Sequence, residues 1–540
     1  MGSSNSEVEV VDVAIVGGGP TGLLTGLLLH RLGVSVSVLD AKPQSLDLGR
    51  ADALNARTQQ YLTVVGILDE LLPQGLKCNT SSTFGEGDFI SRQNQWWVSL
   101  EHTLHKNFLM IGQPVVEKIL STHLDGFVHY GEQVESLIEG NEFVEIMTKS
   151  GRTIRSKYAL GSDGAKSTVR AAIGATFTGS KPEMLWAVLD TFIDTNFPTC
   201  PEIITFQLNG QSRVSWIPRE RGLCRFYVLL EGEVTQERAE ESIKKHLAPY
   251  RTDFVKTEWY STFDVKERIA SSFISKDGAG RVFLAGDAAH VHSVNGGQGL
   301  NTGIADAFSL AWRLALVLKS PRLQEGAASK ILRSYDIERR QTAQGVIDVA
   351  AALVRDTVHT AKQYVGTIER NAGYITGQWI FPSSNSMEFT HHLPDAAWTP
   401  PCRRGMGVAY DGMGSPTVEE SEHGIWKAGK RCPDVVLSTP DSDGDIRLYS
   451  QVTYGKYLIL AIGNHPEQAL AHEDAAVLFS ILPSSATAES VVTSKERTFT
   501  ADWAEAGESY AVVVRPDMYI GYVGADIESC QRYLDRLFIR

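Results

Sequence analysis

The sequence predicts an α/β fold in which helices cover a parallel sheet, and two stretches far apart in the chain carry this prediction. Near the N-terminus, the apolar run Val11–Val16 leads into a glycine-rich turn and then into a helical pattern at Leu23–Leu32. Much later, the apolar run Val282–Ala285 breaks at Gly286 and precedes a helical pattern over about Ile304–Lys319. Short strands that alternate with helices are typical of parallel α/β sheets.

The first turn has the spacing of a dinucleotide-binding fingerprint. Residues 17–22 read GGGPTG, and the next apolar run, Val34–Leu39, closes with Asp40 about 20 residues further on. Gly17 allows a tight turn, Gly19 lets the backbone approach a pyrophosphate, and Gly22 lets the helix pack on the strand. Asp40 would bind a ribose hydroxyl and repel a 2′-phosphate, which argues against NADPH as the ligand of this turn. The cofactor site is expected to include Pro20, Thr21 and Ala41 as well.

A second glycine-rich loop follows the run that ends at Ala285. Its backbone N–H groups are unobstructed by side chains, and the helix after it favours negative charge at its N-terminus. Asp287, at the end of a strand, can accept a hydrogen bond from a hydroxyl. We therefore expect one cofactor, with a phosphate and a polyol chain, to bind both this loop and the first turn. A third pattern, with Asp163-Gly164 between a strand and a helix start, indicates by itself only a structural turn.

Composition narrows the class of protein. The 540 residues predict two or three domains. A net charge of −13 argues against nucleic-acid or anionic-membrane partners. No apolar run approaches the ~20 residues of a membrane span, and the sequence start lacks the features of a signal peptide. The 6 cysteines form neither a CxxC pair nor a metal-binding spacing, so we expect reduced thiols, no metal site and a cytoplasmic protein.

Together, the motifs at 17–22, 163–164 and 286–287 resemble those of the class A flavoprotein aromatic hydroxylases, which are single-component FAD monooxygenases. Their order and spacing match the family over residues 10–360. The resemblance implies FAD as bound cofactor, NADPH or NADH as transient reductant, and O2 and a small aromatic molecule as substrates. It also implies that a flavin C4a-hydroperoxide transfers the oxygen atom.

The resemblance assigns further residues to the cofactor. Asp287, with Gly286, would bind ribityl or pyrophosphate oxygens of FAD. Asp163 would lie near FAD and the path of NAD(P)H, and Gln113 would lie on the flavin side. The pyrimidine end of the flavin would meet the residues Gly297, Gln298, Gly299, Leu300 and Asn301.

The domain organisation is expected to follow the phenol hydroxylase-like subgroup. A Rossmann-like FAD-binding domain of the GR2 type would comprise residues 10–180 and 265–365, interleaved with a β-sheet substrate domain at 181–264 and part of 75–110. Residues 366–425 would form a linker, and residues 426–540 a thioredoxin-like α/β domain. That last assignment depends on Ala428–Asp434 and on a closing hairpin at Val512–Gly521. Without CxxC this domain cannot perform dithiol chemistry, so packing or homodimer formation is its expected role.

Asp52, Arg225 and Tyr227 are the candidates for substrate activation. Arg225 and Tyr227 alternate on one predicted strand and so face the same side, and phenol hydroxylase relatives carry Arg-x-Tyr here and an Asp at the place of Asp52. A carboxylate base makes a phenol more nucleophilic, and an arginine stabilises the carboxylate or phenolate. The alternatives are a loop Asp that caps a backbone N–H and a surface pair on an edge strand. Arg50 would contact FAD or gate the flavin, or else lie on the surface.

Four other features have simpler interpretations. His290 and His292 are expected to be structural rather than ligands or bases, and Arg57 is left open between the site and the surface. For the tryptophans, core packing is favoured over an aromatic pocket: Trp96, Trp97 and Trp216. Val294 stands where most of the family has Pro. This difference is expected to affect the geometry of oxygen transfer rather than FAD binding.

The leading hypothesis is hydroxylation of a phenolic or polyketide-type aromatic ring. The same cofactor chemistry could instead give epoxidation, Baeyer–Villiger insertion or dearomatisation of a natural product. A non-catalytic protein that binds flavin and a ligand is the alternative from another class. A halogenase is disfavoured because the sequence contains no WxWxIP segment.

Overall fold

The computed structural model describes residues 8–94, 104–182, 184–198, 201–209, 211–293, 297–357, 408–439, 442–465, 469–485 and 497–540. Three residues singled out from the sequence, Trp96, Trp97 and Val294, lie outside these ranges, as does most of the predicted linker. Within these ranges, no helix is both long and apolar enough to cross a membrane.

The described residues form the following strands and helices, numbered in chain order. The strands are β1 (Glu9–Val16), β2 (Val36–Asp40), β3 (Ala53–Leu54), β4 (Leu76–Cys78), β5 (Ser81–Gly85), β6 (Asp88–Asn94), β7 (Phe108–Met110), β8 (Val128–Tyr130), β9 (Val134–Glu139), β10 (Val144–Thr148), β11 (Thr153–Gly161), β12 (Phe177–Ser180), β13 (Leu185–Thr195), β14 (Ile203–Leu208), β15 (Gln211–Pro218), β16 (Cys224–Leu229), β17 (Thr252–Asp264), β18 (Glu267–Ala270), β19 (Val282–Leu284), β20 (His290–Val291), β21 (Glu422–His423), β22 (Trp426–Lys427), β23 (Val436–Thr439), β24 (Ser442–Arg447), β25 (Tyr457–Gly463), β26 (Ala476–Pro483), β27 (Thr498–Ala501), β28 (Ser509–Val514) and β29 (Ile520–Gly524). The helices are α1 (Pro20–Arg31), α2 (Ala56–Val65), α3 (Leu68–Leu71), α4 (Gln113–Thr122), α5 (Thr168–Ala172), α6 (Gln236–Leu247), α7 (Ser275–Gly278), α8 (Gln298–Lys319), α9 (Ala327–Thr357), α10 (Leu448–Gln451) and α11 (Ile527–Leu534).

The first sheet has the predicted parallel core. Its strand order is β8-β2-β1-β11-β10-β9, with β19 paired to β11. Strands β2, β1, β11 and β19 run parallel, and all five residues of β2 are buried, as expected for a strand with both faces covered. The carboxyl ends of these four strands therefore open on one edge, where ligands bind in such sheets.

Helix α8 begins earlier than the sequence pattern predicts. The apolar pattern places its start near Ile304, whereas the helix begins at Gln298, directly after Gly297 in the left-handed conformation. Its first turns are polar but buried: the Asn301 side chain accepts a hydrogen bond from the Asn55 backbone N–H at 2.9 Å and donates to the Ala53 carbonyl at 3.0 Å. Hydrophobic periodicity cannot detect a helical turn that packs through hydrogen bonds.

A second sheet is built from strands that lie, in sequence, between strands of the first sheet. Its order is β17-β13-β16-β15-β14-β5-β6, built from strands within residues 81–94 and 185–264. Phe226 and Val228 of β16 face an aromatic core that also contains buried residues of α6. Because side chains alternate along a strand, Arg225 and Tyr227 face the other way.

The C-terminal region contains a third sheet, with the order β24-β23-β27-β26-β25-β28-β29. Strands β28 and β29 pair antiparallel, so the predicted hairpin is present. The thioredoxin-like assignment of this region stays a prediction.

A buried ionic cluster joins this third sheet to helices α8 and α9. Arg313 of α8 lies 2.6 Å from Glu338 of α9, and Arg515 lies 2.6 Å from the same carboxylate. Asp517 completes the cluster at 2.5 Å from Arg515 and 3.2 Å from Arg313. All four side chains are almost completely buried. The cluster therefore fixes α8, whose N-terminus lies at the ligand-binding edge, against the turn between β28 and β29.

Candidate active site

The three sequence motifs meet at the open edge of the first sheet. A Cβ on Gly17 would lie 2.3 Å from the Ser162 carbonyl oxygen, so the first turn is tightly packed on the end of β11. Thr21 of α1 packs against the later loop: a Cβ on Gly286 or Gly303 would come within 2.8 or 2.3 Å of the Thr21 Oγ1. Residues almost 300 positions apart thus form one continuous surface.

This surface fits a dinucleotide. Helices α1 and α8 both follow a glycine and have no side-chain cap, and the N-terminus of a helix attracts an anion. Among the described residues, no atom lies within 4 Å of a Cβ built on Gly19, Gly297 or Gly299, so a ligand can approach their backbone closely. Asp287 is exposed between buried neighbours, shortly after β19, where a ligand hydroxyl can reach its carboxylate.

Asp40 and Gln113 shape the loops around the site. The Asp40 carboxylate accepts hydrogen bonds from the Gly18 and Lys42 backbone N–H groups, each at 2.7 Å. Gln113 donates through its backbone N–H to the Ala51 carbonyl at 2.9 Å, and its side-chain oxygen accepts from the Ala51 N–H at 3.3 Å. Both residues lie where the sequence motifs predict, and their contacts with a cofactor stay predictions.

Asp163 is engaged in its own turn. Its carboxylate accepts hydrogen bonds from the Ser167 hydroxyl at 2.5 Å and from the Thr168 N–H at 2.7 Å, at the start of α5. Arg170 of the same helix donates to the Ala288 carbonyl at 2.8 Å and so ties this turn to the loop of Gly286. The local structural interpretation of Asp163 is thereby observed, whereas its role toward FAD and NAD(P)H stays a prediction.

Sequence reasoning missed Asp306, which organises the later loop. Its buried carboxylate accepts from the Gly286 N–H at 2.9 Å and lies 2.8 Å from His290 Nε2 and 2.7 Å from Arg339 Nε. Burial opposes ionisation, but Arg339 and His290 lower the pKa of Asp306 below its ordinary value. An acidic residue inside the apolar pattern of α8 was the available signal. His290 thus has the structural role expected of it. His292 is also buried, and burial lowers the pKa of its imidazole to about 4.

Asp52, Tyr227 and Arg225 come together beside this edge. The Tyr227 hydroxyl lies 3.2 Å from Asp52 Oδ2, and Arg225 Nη1 lies 3.4 Å from the same oxygen. Asp52 is only 5% exposed, so these groups meet away from bulk water. Arg225 also donates to the Arg50 carbonyl. Arg50 has a φ of +68°, which L-residues rarely adopt, and its side chain is exposed.

A second layer of charges, also missed from the sequence, holds Arg225. Asp190 lies opposite Arg225 in the register of β13 and β16 and accepts two hydrogen bonds from its guanidinium, each at 2.6 Å. Arg219 lies 3.4 Å from Asp190 and 2.8 Å from Glu220. With Asp52, the cluster contains two guanidinium and three carboxylate groups. When all are ionised it carries one net negative charge and can accept a proton.

Tyr227 is a hydrogen-bond donor in this cluster. Burial, together with the negative charge of Asp52, raises the pKa of the Tyr227 phenol well above its ordinary value. The hydroxyl is therefore protonated at neutral pH. Arg57, by contrast, donates to Tyr61 of its own helix at 2.6 Å and to Tyr519 of the C-terminal region.

Comparison with known proteins agrees with these observations. Residues 10–350 match the model of the FAD binding domain family. The chain is 29% identical over 386 residues to "FAD-dependent monooxygenase terD" of Aspergillus terreus, an alignment that covers 67% of this chain and 61% of that protein. It is also 29% identical to "Phenol 2-monooxygenase fsqG" of Aspergillus fumigatus, over 85% of this chain and 77% of that protein.

The fold of the whole chain has a solved counterpart. The flavin-dependent monooxygenase PieE, whose crystal structure contains FAD and substrate, superimposes with a TM-score of 0.74 over 98% of this chain and 99% of that one, at 19% identity. The predicted α/β fold, the FAD cofactor and the assignment to the flavoprotein hydroxylases are therefore confirmed. The chain belongs to the FAD binding domain family and is an FAD-dependent monooxygenase of the class A flavoprotein hydroxylase type.

Proposed function

We propose that this monooxygenase hydroxylates a phenolic or polyketide-type aromatic ring, with NADPH or NADH and O2 as co-substrates. The observation that carries the proposal is the contact of Asp52 with Tyr227 at 3.2 Å, beside Arg225 and the loop of Arg50. A carboxylate and a protonated phenol at this distance form a site that can hold a substrate hydroxyl and remove its proton.

FAD would be held by the residues that converge at the sheet edge. The N-termini of α1 and α8 would receive the pyrophosphate and the flavin, Asp40 the ribose, and Asp287 the hydroxyls of the polyol chain. Bound FAD would supply the redox chemistry that takes a hydride from NAD(P)H and delivers one oxygen atom of O2 to the ring. Arg50, exposed beside this surface, would contact FAD or gate it.

The protein residues prepare the substrate. Asp52 Oδ2 would accept the proton of the substrate hydroxyl, which raises electron density on the ring carbon that receives oxygen. Tyr227 would donate its hydrogen bond to the resulting phenolate, and Arg225 would add positive charge beside it. Asp190 keeps Arg225 in place by two hydrogen bonds of 2.6 Å, so the guanidinium does not have to reorganise during the reaction.

The names of relatives support the substrate class, since one is a phenol 2-monooxygenase and another a 3-hydroxybenzoate 4-monooxygenase. The test is oxidation of NADPH and NADH by the purified, FAD-loaded protein with a panel of phenols under isotopically labelled O2. We expect faster oxidation with a phenol and one labelled oxygen in the product. Labelled epoxide, lactone or dearomatised product would identify the other reaction outcomes, and binding without turnover would identify a ligand-binding protein.

The homodimer and the cytoplasmic location also stay proposals.

A further inference from the structure

Two consecutive residues shortly before Asp52 have a backbone conformation that L-residues rarely adopt. The φ values of Gly49 and Arg50 are +78° and +68°. Glycine tolerates this conformation, whereas a residue with a side chain keeps it only where the surrounding structure holds it in place. The segment Gly49–Asp52 therefore needs contacts that define its geometry.

Helix α4 holds the second half of this segment. The Gln113 backbone N–H donates to the Ala51 carbonyl at 2.9 Å, and the Gln113 side-chain oxygen accepts from the Ala51 N–H at 3.3 Å. The Gln113 amide is itself held by the buried carboxylate of Glu117, to which it donates at 2.8 Å. These bonds fix Ala51 and leave the two left-handed residues before it to other contacts.

Trp259 of β17 contacts the first of these two residues. A Cβ on Gly49 would lie 2.3 Å from Cε2 and 2.6 Å from Nε1 of the indole, so only glycine lets the backbone lie this close to the ring. Trp259 is half-buried here. Trp216 of the same sheet lies instead in the aromatic core on the other face, as expected from the sequence. The indole of Trp259 thus sets the distance between Gly49 and the sheet.

Trp259 also belongs to the row of side chains that holds Arg225. Asp190 of β13 lies opposite both Arg225 of β16 and Trp259 of β17. The Arg225 guanidinium lies 5.2 Å from the centroid of the indole, a distance at which a cation and an aromatic ring attract each other. Arg225 in turn donates to the Arg50 carbonyl. One indole therefore contacts both Gly49 and the arginine that binds Arg50.

The segment places a functional group on each side. Asp52 Oδ2 lies 3.2 Å from the Tyr227 hydroxyl and 3.4 Å from Arg225 Nη1. The Arg50 side chain is exposed, and it is close enough to Asp287 for their charges to interact. A shift of the segment would therefore move the proposed base and the proposed cofactor contact together.

We propose that Trp259 is a positioning residue: its indole holds Gly49 and Arg225, and through them it fixes Arg50 toward FAD and Asp52 toward the substrate. Trp259 acts through these neighbours rather than on the reacting atoms. This inference rests on the proposed function, which gives Arg50 and Asp52 their roles.

The test combines Trp259→Leu with Gly49→Ala. Trp259→Leu removes the ring and keeps an apolar side chain, whereas Gly49→Ala places a methyl group against the ring. Trp503→Leu is the matched control, because Trp503 is also half-buried but lies beside the third sheet, where its N–H donates to the Val436 carbonyl at 2.8 Å. The Kd of FAD is measured by titration of the full chain and flavin fluorescence. Hydrogen exchange at the Ala51 N–H is measured on the FAD-loaded protein.

We expect Trp259→Leu to raise the Kd of FAD roughly tenfold, because Arg50 loses a fixed charged contact. Exchange at Ala51 should become faster, and a smaller fraction of the NAD(P)H oxidised should yield product. Gly49→Ala should weaken FAD binding at least as much. Because the double variant lacks the ring that the methyl group meets, it should bind FAD no more weakly than Gly49→Ala alone. Trp503→Leu should leave all of these quantities unchanged.

Unchanged FAD affinity and exchange in Trp259→Leu would overturn the inference, and so would a double variant whose loss of affinity equals the product of the two single losses. Trp259→Phe, a milder change, should give the same pattern at smaller size and serves if Trp259→Leu does not fold. None of these outcomes requires that a phenol is hydroxylated. Failure of the unmodified protein to hydroxylate any phenol would refute the proposed function, whereas the affinity and exchange data decide the role of Trp259.

Discussion

Replacing the Asp52 carboxylate by an amide of the same shape tests the proposed base directly. In Asp52→Asn, the side chain can no longer accept a proton, and the net charge of the cluster changes from −1 to neutral. The surrounding structure should persist, because Arg225 retains both hydrogen bonds to Asp190 at 2.6 Å. The backbone of residue 52 also still accepts the Ile111 N–H at 2.9 Å.

The expected effect on hydroxylation is large and the effect on stability small. A positioned general base contributes about 10²–10⁴-fold to the rate, so we expect a loss within that range. The free energy of unfolding should fall by only about 1 kcal/mol, the net worth of one hydrogen bond. FAD content should be unchanged, since the side chain of Asp52 contacts Tyr227 and Arg225 rather than the residues proposed to hold FAD.

The assay is the rate of product formation at saturating phenol as a function of pH. Without the base, only the fraction of substrate that is already phenolate can react. The variant's rate should therefore rise about tenfold per pH unit until the substrate hydroxyl ionises. The unmodified protein should show a flatter dependence, since Asp52 removes the proton within the site. Asp253→Asn, an exposed carboxylate on β17, is the control and should behave like the unmodified protein.

Coupled turnover in Asp52→Asn at the unmodified rate across this pH range would remove Asp52 from the mechanism. Loss of FAD from the variant would show instead that the residue supports cofactor binding.

Two further predictions concern stability. Glu338→Gln leaves Arg313 and Arg515 facing a single carboxylate, so the free energy of unfolding, measured by chemical denaturation, should fall by about 3–5 kcal/mol. Glu325→Gln, at an exposed position, is the control. Equal stability of the two variants would show that the cluster does not stabilise the folded protein. His292 has its pKa lowered from 6.5 to about 4 by burial, so between these values the unfolded chain binds a proton that the folded protein does not. The free energy of unfolding should therefore fall by about 3 kcal/mol as the pH drops through this range. His292→Phe should abolish this part of the pH dependence. An identical pH profile for the variant and the unmodified protein would refute the prediction.

The sequence predicted most reliably what depends on local spacing. The turn at 17–22, the strand that ends at Asp40 and the loop of Gly286 all lie where the motifs place them, because glycine positions and strand lengths are local properties. The alternation of Arg225 and Tyr227 also sufficed to place both on one face of β16, where both contact Asp52.

The residues that sequence reasoning missed act across strands or between distant helices. Asp190 is paired to Arg225 by the register of β13 and β16, which no local pattern encodes. Asp306 lies in an apolar helix and receives the Gly286 N–H, 20 positions earlier in the chain. In both cases a carboxylate interrupts an apolar pattern, and only the folded structure supplies the partner that makes its burial tolerable.

The ionic cluster around Glu338 limits how this protein can be divided. Two of its charges come from α8 and α9, and two from the turn between β28 and β29. A shortened chain that ends before the third sheet would leave Arg313 and Glu338 without half of their partners, at a surface rich in apolar groups. The C-terminal region therefore cannot be exchanged between relatives as a self-contained module. Chimeras should succeed only when both helices and the turn are transferred together.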